Sequence, residues 1–97
     1  MPNKMRPIHP GEILKGELAE LALSANAFAK ALGVPANRIT AILNEQRSIT
    51  ADTALRLSRF LGTTPEFWMS LQASHDVKRA KQAGWKEIAR SVKPSKM

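Results

Sequence analysis

Apolar residues recur every three or four positions along most of the chain, which predicts a succession of α-helices. Glycine, proline, serine and threonine separate five such segments and supply helix start and stop signals between them. No segment alternates apolar and polar residues as a half-buried strand would. The pattern therefore predicts a single all-α domain of five helices, with at most a short sixth helix over residues 85–91.

The stretch 25–44, ANAFAKALGVPANRITAILN, predicts two short helices joined by a tight turn. Ser24 is expected to cap the first helix, and Gly33 to end it in the left-handed conformation. Pro35 fits the first turn of the second helix, where no N–H is needed. This is the sequence form of a helix-turn-helix, and the alternative is an ordinary helical hairpin. Six positions agree with the motif: Phe28, Ala29, Leu32, Gly33, Val34 and Ile39.

The remaining helices flank this motif. The first is expected to begin near Pro10 and to reach about Ala22, after a flexible arm over residues 1–8. Thr50 caps the fourth helix, which Gly62 stops. The fifth helix begins at Thr64-Pro65-Glu66 and is expected to end at Gly84, before a loose end over residues 92–97.

The chain has 97 residues, no cysteine and 43% hydrophobic residues, which suits one domain with a modest core. Without cysteine there is neither a disulfide framework nor a thiolate metal site. No window reaches the roughly 18 uninterrupted apolar residues of a membrane span, and the N-terminus lacks the apolar run of a secretory signal. We expect a soluble cytoplasmic protein without membrane contact and without a cofactor.

The net charge of +7 is unevenly distributed, because residues 78–97 carry +6 and residues 1–77 only about +1. A basic balance favours polyanionic partners. We expect a folded core over residues 8–83 and a basic tail over residues 84–97. The tail suits contact with DNA phosphates or with an acidic protein, and a simply solvated end is the alternative.

Few residues are candidates for acid–base or metal chemistry. His9 is interpreted as a residue at a helix entry, because no second ligand lies near it in sequence. His75 and Asp76 are neighbours, and on a helix they would point about 100° apart. We expect no catalytic residue and no metal site, so an enzyme such as a small nuclease is the weaker interpretation.

Four segments resemble one known family: HPGEIL at 9–14, FAKALGVPANRI at 28–39, ITADTALRLSRFLGTTPEFWMSLQ at 49–72 and HDV at 75–77. They are similar to the HigA/VapI antitoxins of the XRE (lambda-repressor-like) helix-turn-helix group. The HPGEIL and TPEFW segments narrow the resemblance to this family. It implies a lambda-repressor-like five-helix fold and a dimeric repressor that binds an operator in its own promoter. It also implies a partner toxin, HigB, an mRNA-cleaving nuclease with a RelE-like fold.

In such a protein the second helix of the motif enters the major groove with its N-terminal end first. Base edges there carry a distinct pattern of donors and acceptors. The base-facing set is then Asn37, Arg38, Thr40 and Ala41, with Asn44 reaching the backbone or a base. Residues at the edges of the motif suit phosphate contacts: Ser24, Asn26, Arg47 and Ser48, with Lys30 joining them if its helix face turns toward the backbone.

Strong specific binding calls for a homodimer, because residues 1–77 are nearly neutral and one module holds few charges. The fifth helix is the expected interface, since Phe67, Trp68, Met69 and Leu71 supply more apolar surface than a thin domain can cover. The alternative is that these residues complete the core of one copy. Trp68 is expected in the core. Two further alternatives stay open: a free-standing XRE-type transcriptional regulator without a toxin, and an antitoxin that binds protein only. The polar residues of the second motif helix argue against the latter.

Overall fold

The computed structural model describes residues 6–95, and within this range the chain is helical and contains no β-strand. The helices are α1 (Pro10–Leu21), α2 (Ala25–Leu32), α3 (Ala36–Leu43), α4 (Ala51–Leu61) and α5 (Pro65–Ser91). The predicted all-α class is confirmed. Residues 1–5 of the expected arm and residues 96–97 of the expected loose end lie outside the described residues. Between residues 6 and 95, no helix has both the length and the apolar character needed to cross a membrane.

Most helix ends lie where the sequence signals predicted them. The hydroxyls of Ser24, Thr50 and Thr64 accept hydrogen bonds from first-turn N–H groups of α2, α4 and α5 at 3.1, 3.4 and 3.1 Å. His9 caps α1 in the same way, because its Nδ1 accepts the N–H of Gly11 at 2.9 Å. The glycines that follow α2 and α4 have φ angles of 73° and 78°. These local contacts satisfy backbone groups that a helix leaves free at its ends.

One apolar core joins all five helices. The helix-turn-helix supplies much of it through buried side chains of α2 and α3, as the spacing predicted. Trp68 of α5 is 1% exposed, and its Nε1 donates to Thr63 Oγ1 at 2.8 Å, so its polar end is satisfied. The buried apolar residues are Leu14, Leu18, Phe28, Ala29, Leu32, Ile39, Ile42, Ile49, Ala54, Leu57 and Trp68.

The start of α1 lies directly against the end of α3. A Cβ atom built on Gly11 would lie 1.9 Å from the carbonyl oxygen of Ile42, so only glycine allows the two backbones to approach this closely. No sequence signal marks this role of Gly11. At Gly11 the backbone of α1 packs directly against the end of α3.

The structure corrects two predicted boundaries. α3 begins at Ala36, and Pro35 is the residue before it, because its ψ of 146° is extended rather than helical. The fifth helix does not end at Gly84, which has φ −156° and ψ 19° and produces a kink. Helical geometry resumes beyond the kink, where Arg90 Nη1 pairs with Glu87 Oε1 at 3.1 Å. The predicted short sixth helix is therefore the distal part of α5.

Candidate nucleic-acid interface

α3 presents a polar surface because its apolar side is buried. Ile39 and Ile42 are fully enclosed by the core. Four predicted base-facing residues lie three or four positions apart and so share one side of the helix. We call them the recognition face: Asn37, Thr40, Ala41 and Asn44. Three of them are exposed and Ala41 is half-buried, which places them where a major groove can reach them.

Arg38 differs from these four residues, because it is held against the protein. Its Nη1 donates to Asp52 Oδ2 at 3.1 Å, and its side chain is 24% exposed. Its Nε is buried and has no hydrogen-bond partner within residues 6–95. Arg38 is therefore less outward than its place in the base-facing set led us to expect. Whether Arg38 reads a base stays a prediction.

Asp52 belongs to a network that joins three helices. Its Oδ2 also accepts Arg56 Nε at 2.9 Å, and Arg56 Nη1 donates to the carbonyl oxygen of Leu32 at 2.8 Å. Leu32 is the last residue of α2, so Arg56 satisfies a carbonyl that the helix end leaves free. The hydrogen bond from Arg56, together with that from Arg38, holds the pKa of the Asp52 carboxyl below its usual value. The carboxylate is thus charged at neutral pH.

The predicted phosphate-contacting residues in α2 and at its N-cap lie on the surface. Ser24, Asn26 and Lys30 are all exposed. Ser24 Oγ is already used as the cap of α2 and accepts from the N–H of Ala27, but its hydroxyl hydrogen remains available as a donor. These exposed positions agree with the predicted phosphate contacts, which stay a prediction.

The other predicted phosphate contacts, Arg47 and Ser48, lie in the exposed segment that follows α3. α3 ends in a Schellman motif, in which the N–H of Gln46 bonds to the Ala41 carbonyl at 2.8 Å and Glu45 adopts φ 61°. The far end of the segment is fixed by Gln72 of α5, whose Oε1 accepts the N–H of Ile49 at 2.7 Å. The backbone that carries Arg47 and Ser48 is therefore held at both ends.

A buried pair of histidines lies beneath this segment. The rings of His9 and His75 meet edge to face, with centroids 4.8 Å apart. Burial and the nearby His75 lower the pKa of His9 despite the opposing influence of Glu45, Asp76 and the Arg47 backbone. His75 Nδ1 lies 3.2 Å from Asp76 Oδ1, so the prediction that these two neighbours point apart is wrong for their side-chain ends. Among the described residues, no three His, Asp or Glu side chains are grouped as metal ligands.

Sequence reasoning missed three residues that support the interface. Asp52 and Arg56 carry a visible signal, the acid-to-base spacing of four on one helix. Gln72 carries no such signal, because its backbone partner lies 23 positions away. Its role depends on how α5 packs against the loop.

α3 is the second of two short helices joined by a tight turn at Gly33, and its exposed side carries the recognition face. This arrangement defines a helix-turn-helix protein of the lambda-repressor-like class. The family model described as Helix-turn-helix matches residues 14–68. Virulence-associated protein I of Dichelobacter nodosus is 53% identical over 81 residues, which are 82% of this chain and 75% of that protein.

Two solved structures agree with this fold. An addiction module antidote protein of the HigA family from Coxiella burnetii is 60% identical, covers 94% of this chain and 100% of its own, and has a TM-score of 0.91. The Pseudomonas aeruginosa antitoxin HigA, solved with the higBA promoter, is 46% identical over 92% of this chain and 98% of its own, with a TM-score of 0.89. The chain belongs to the HigA/VapI family of helix-turn-helix antitoxins, as the resemblance predicted.

Proposed function

We propose that this chain is the antitoxin of a HigB/HigA type II toxin–antitoxin pair and that, as a homodimer in the cytoplasm, it represses transcription from its own operator. One observation carries the proposal. The exposed recognition face lies on α3 of a chain that is 46% identical to an antitoxin solved with promoter DNA. The function is binding and repression rather than catalysis.

Asn37, Thr40 and Ala41 lie in the first turns of α3, the part of a recognition helix that contacts base edges. An asparagine can bond to adenine through two hydrogen bonds, and a small apolar side chain such as that of Ala41 can contact a thymine methyl. Ser24, Asn26, Arg47 and Ser48 flank this surface and supply phosphate contacts that fix the register. Asn44 contacts DNA at the far end of α3.

The proposed dimer follows from charge and from exposed apolar surface. Residues 1–77 carry about +1, which is too little for tight binding by one module to a polyanion. α5 leaves Phe67 and Met69 exposed on its first turns and Trp85 and Ile88 exposed beyond the kink. Burying exposed apolar surface of α5 against a second copy doubles the number of phosphate contacts and places two α3 helices on successive major grooves.

The proposed protein partner is a HigB-like mRNA-cleaving toxin, as expected for this family. The distal part of α5 and residues 92–95 present a basic surface, with Lys86, Arg90 and Lys93 all exposed. This surface suits an acidic face of a partner as well as it suits DNA phosphates. A free-standing XRE-type regulator would have the same recognition face and no toxin.

The DNA-binding part of the proposal is tested with a labelled duplex from the promoter region of the protein's own gene and a scrambled duplex of equal length. Fluorescence anisotropy at fixed salt should show a preference for the promoter of about 10³-fold or more, the usual range for specific DNA-binding proteins. Thr40→Ala should reduce this preference, while Gln82→Ala, an exposed polar residue on α5, should leave it unchanged. Equal binding of both duplexes would contradict the proposal.

The toxin part is tested by co-expression with each small gene adjacent to the protein's own gene. An antitoxin should restore growth in cells that express the neighbouring toxin, and it should co-purify with that toxin. Rescue by a Thr40→Ala variant would show that neutralisation does not require the full preference for the promoter. If promoter binding is found and no neighbouring gene is toxic, the protein is the free-standing regulator instead.

A further inference from the structure

The contacts of Arg38 determine which of its donors can face DNA. An arginine carries five N–H donors and no acceptor. Nη1 already donates to Asp52 Oδ2, and Nε is buried without a partner. Within the described residues Nη2 has no acceptor, so its two hydrogens and the second hydrogen of Nη1 form the edge of the guanidinium that remains for a ligand.

The position of Asp52 is itself fixed. It lies in the first turn of α4, where the helix dipole favours a carboxylate. Arg56 holds it at 2.9 Å while also donating to the Leu32 carbonyl at the end of α2. A chain of contacts therefore runs from the backbone of α2 through Arg56 and Asp52 to the guanidinium on α3.

We propose that Asp52, anchored by Arg56, is a positioning residue that sets the orientation of the Arg38 guanidinium for reading one base pair. This inference rests on the proposed function as a DNA-binding repressor. Asp52 itself need not contact DNA, because its carboxylate, although 58% exposed, carries the wrong charge for a phosphate. Its effect is exerted through Arg38.

This arrangement predicts a specific change in DNA binding when Asp52 is lost. Holding a long side chain in one rotamer before binding removes part of the entropic cost of ordering it at the interface. A guanidinium held in this way donates two hydrogen bonds to guanine only when the base lies in the right place. A released guanidinium keeps its charge and can contact any phosphate. Loss of Asp52 should therefore reduce sequence preference while general affinity is kept or increased.

The test uses the full chain and the promoter duplex described above, together with duplexes that carry every single base-pair change in the protected site. Wild type, Asp52→Ala, Arg38→Ala and the double variant are compared by anisotropy at fixed salt. Arg38→Ala should flatten the preference at one base pair by about 5- to 150-fold. Asp52→Ala should flatten the same position by at least about fivefold, and Asp52→Glu should restore part of it.

The double variant distinguishes positioning from independent action. If Asp52 acts through Arg38, the double variant discriminates no worse than Arg38→Ala alone, because contacting residues are not additive. Glu17→Ala is the charge control, since Glu17 is also an exposed helical acid and lies on α1, away from the proposed dimer interface. It should leave every base preference unchanged while removing the same charge.

The outcomes separate this inference from the proposed function. If wild type prefers the promoter but Asp52→Ala keeps the full base preference, or sharpens it, the inference is overturned and the function stands. A sharpened preference would mean that Asp52 competes with DNA for Arg38. Additive losses in the double variant would overturn the inference as well. If wild type shows no preference for the promoter, the proposed function fails, and the inference fails with it.

Discussion

The contact between Gly11 and Ile42 gives a prediction whose sign and size follow from the structure. In Gly11→Ala the new Cβ would lie 1.9 Å from the Ile42 carbonyl oxygen and 2.9 Å from its carbonyl carbon. Both atoms belong to backbone, so no side-chain rotation can relieve the clash. The start of α1 must move away from the end of α3.

Overpacking in a well-packed interior costs about 1–3 kcal/mol, and a clash between two backbones belongs at or above the upper end of that range. α1 offers a matched control in Gly16, where an added Cβ meets no atom within 4 Å. Gly16→Ala should stabilise the protein by about 0.5–1 kcal/mol, because alanine is the better helix former. One kcal/mol changes the Tm of a domain of this size by roughly 4–8 °C.

The two variants are compared by thermal melts and by urea titration, with circular dichroism to follow the helices. We expect Gly11→Ala to lower Tm by more than about 12 °C and Gly16→Ala to raise it by about 2–8 °C. If Gly11→Ala raises Tm or melts as wild type does, α1 does not approach α3 as closely as this structure shows.

Three further predictions follow from the same structure. Ile39→Ala should cost about 2–5 kcal/mol of unfolding free energy, since it leaves a cavity in the core, whereas exposed Val92→Ala should change it by less than about 0.5 kcal/mol; equal urea midpoints would contradict this. Removing residues 84–97 should keep the preferred site but lower the slope of log affinity against log salt by about 0.9 per lost phosphate contact; an unchanged slope would mean that the tail does not reach DNA. His9 has its pKa lowered from 6.5 by burial and by His75, so the unfolded chain binds more protons and stability should fall as pH drops below 6.5. His9→Asn keeps a capping acceptor and should flatten this dependence in urea melts, and a slope that persists would assign it to other groups.

The sequence predicted the helices well because their signals are local. Ser24, Thr50 and Thr64 act on N–H groups three positions away, and Gly33 needs only its own backbone freedom to end α2. The misplaced C-terminal end of α5 shows where local signals fail. Gly84 is a stop signal in sequence, but beyond it the chain resumes helical geometry and continues α5 to Ser91.

The recognition face was predictable for a similar reason, since it is the side of α3 that the buried positions leave exposed. The contacts that hold Arg38 and the segment after α3 were not predictable. Ile49 bonds to Gln72 across 23 positions and Arg38 to Asp52 across 14, and both pairs depend on how α4 and α5 pack. From the sequence alone, Arg38 was an outward residue like its neighbours, although the structure attaches it to α4.

α3 has eight residues, too few for a helix to be stable in water on its own. Its orientation must therefore come from contacts with other elements, and the structure shows two kinds. Gly11 fixes the end of α3 through backbone packing, so a change there should alter stability and DNA binding together. Asp52 fixes a single side chain through exposed polar contacts, which contribute little to stability. Variants of Asp52 should therefore change base preference with little change in Tm, and this contrast separates what folds the recognition helix from what makes it specific.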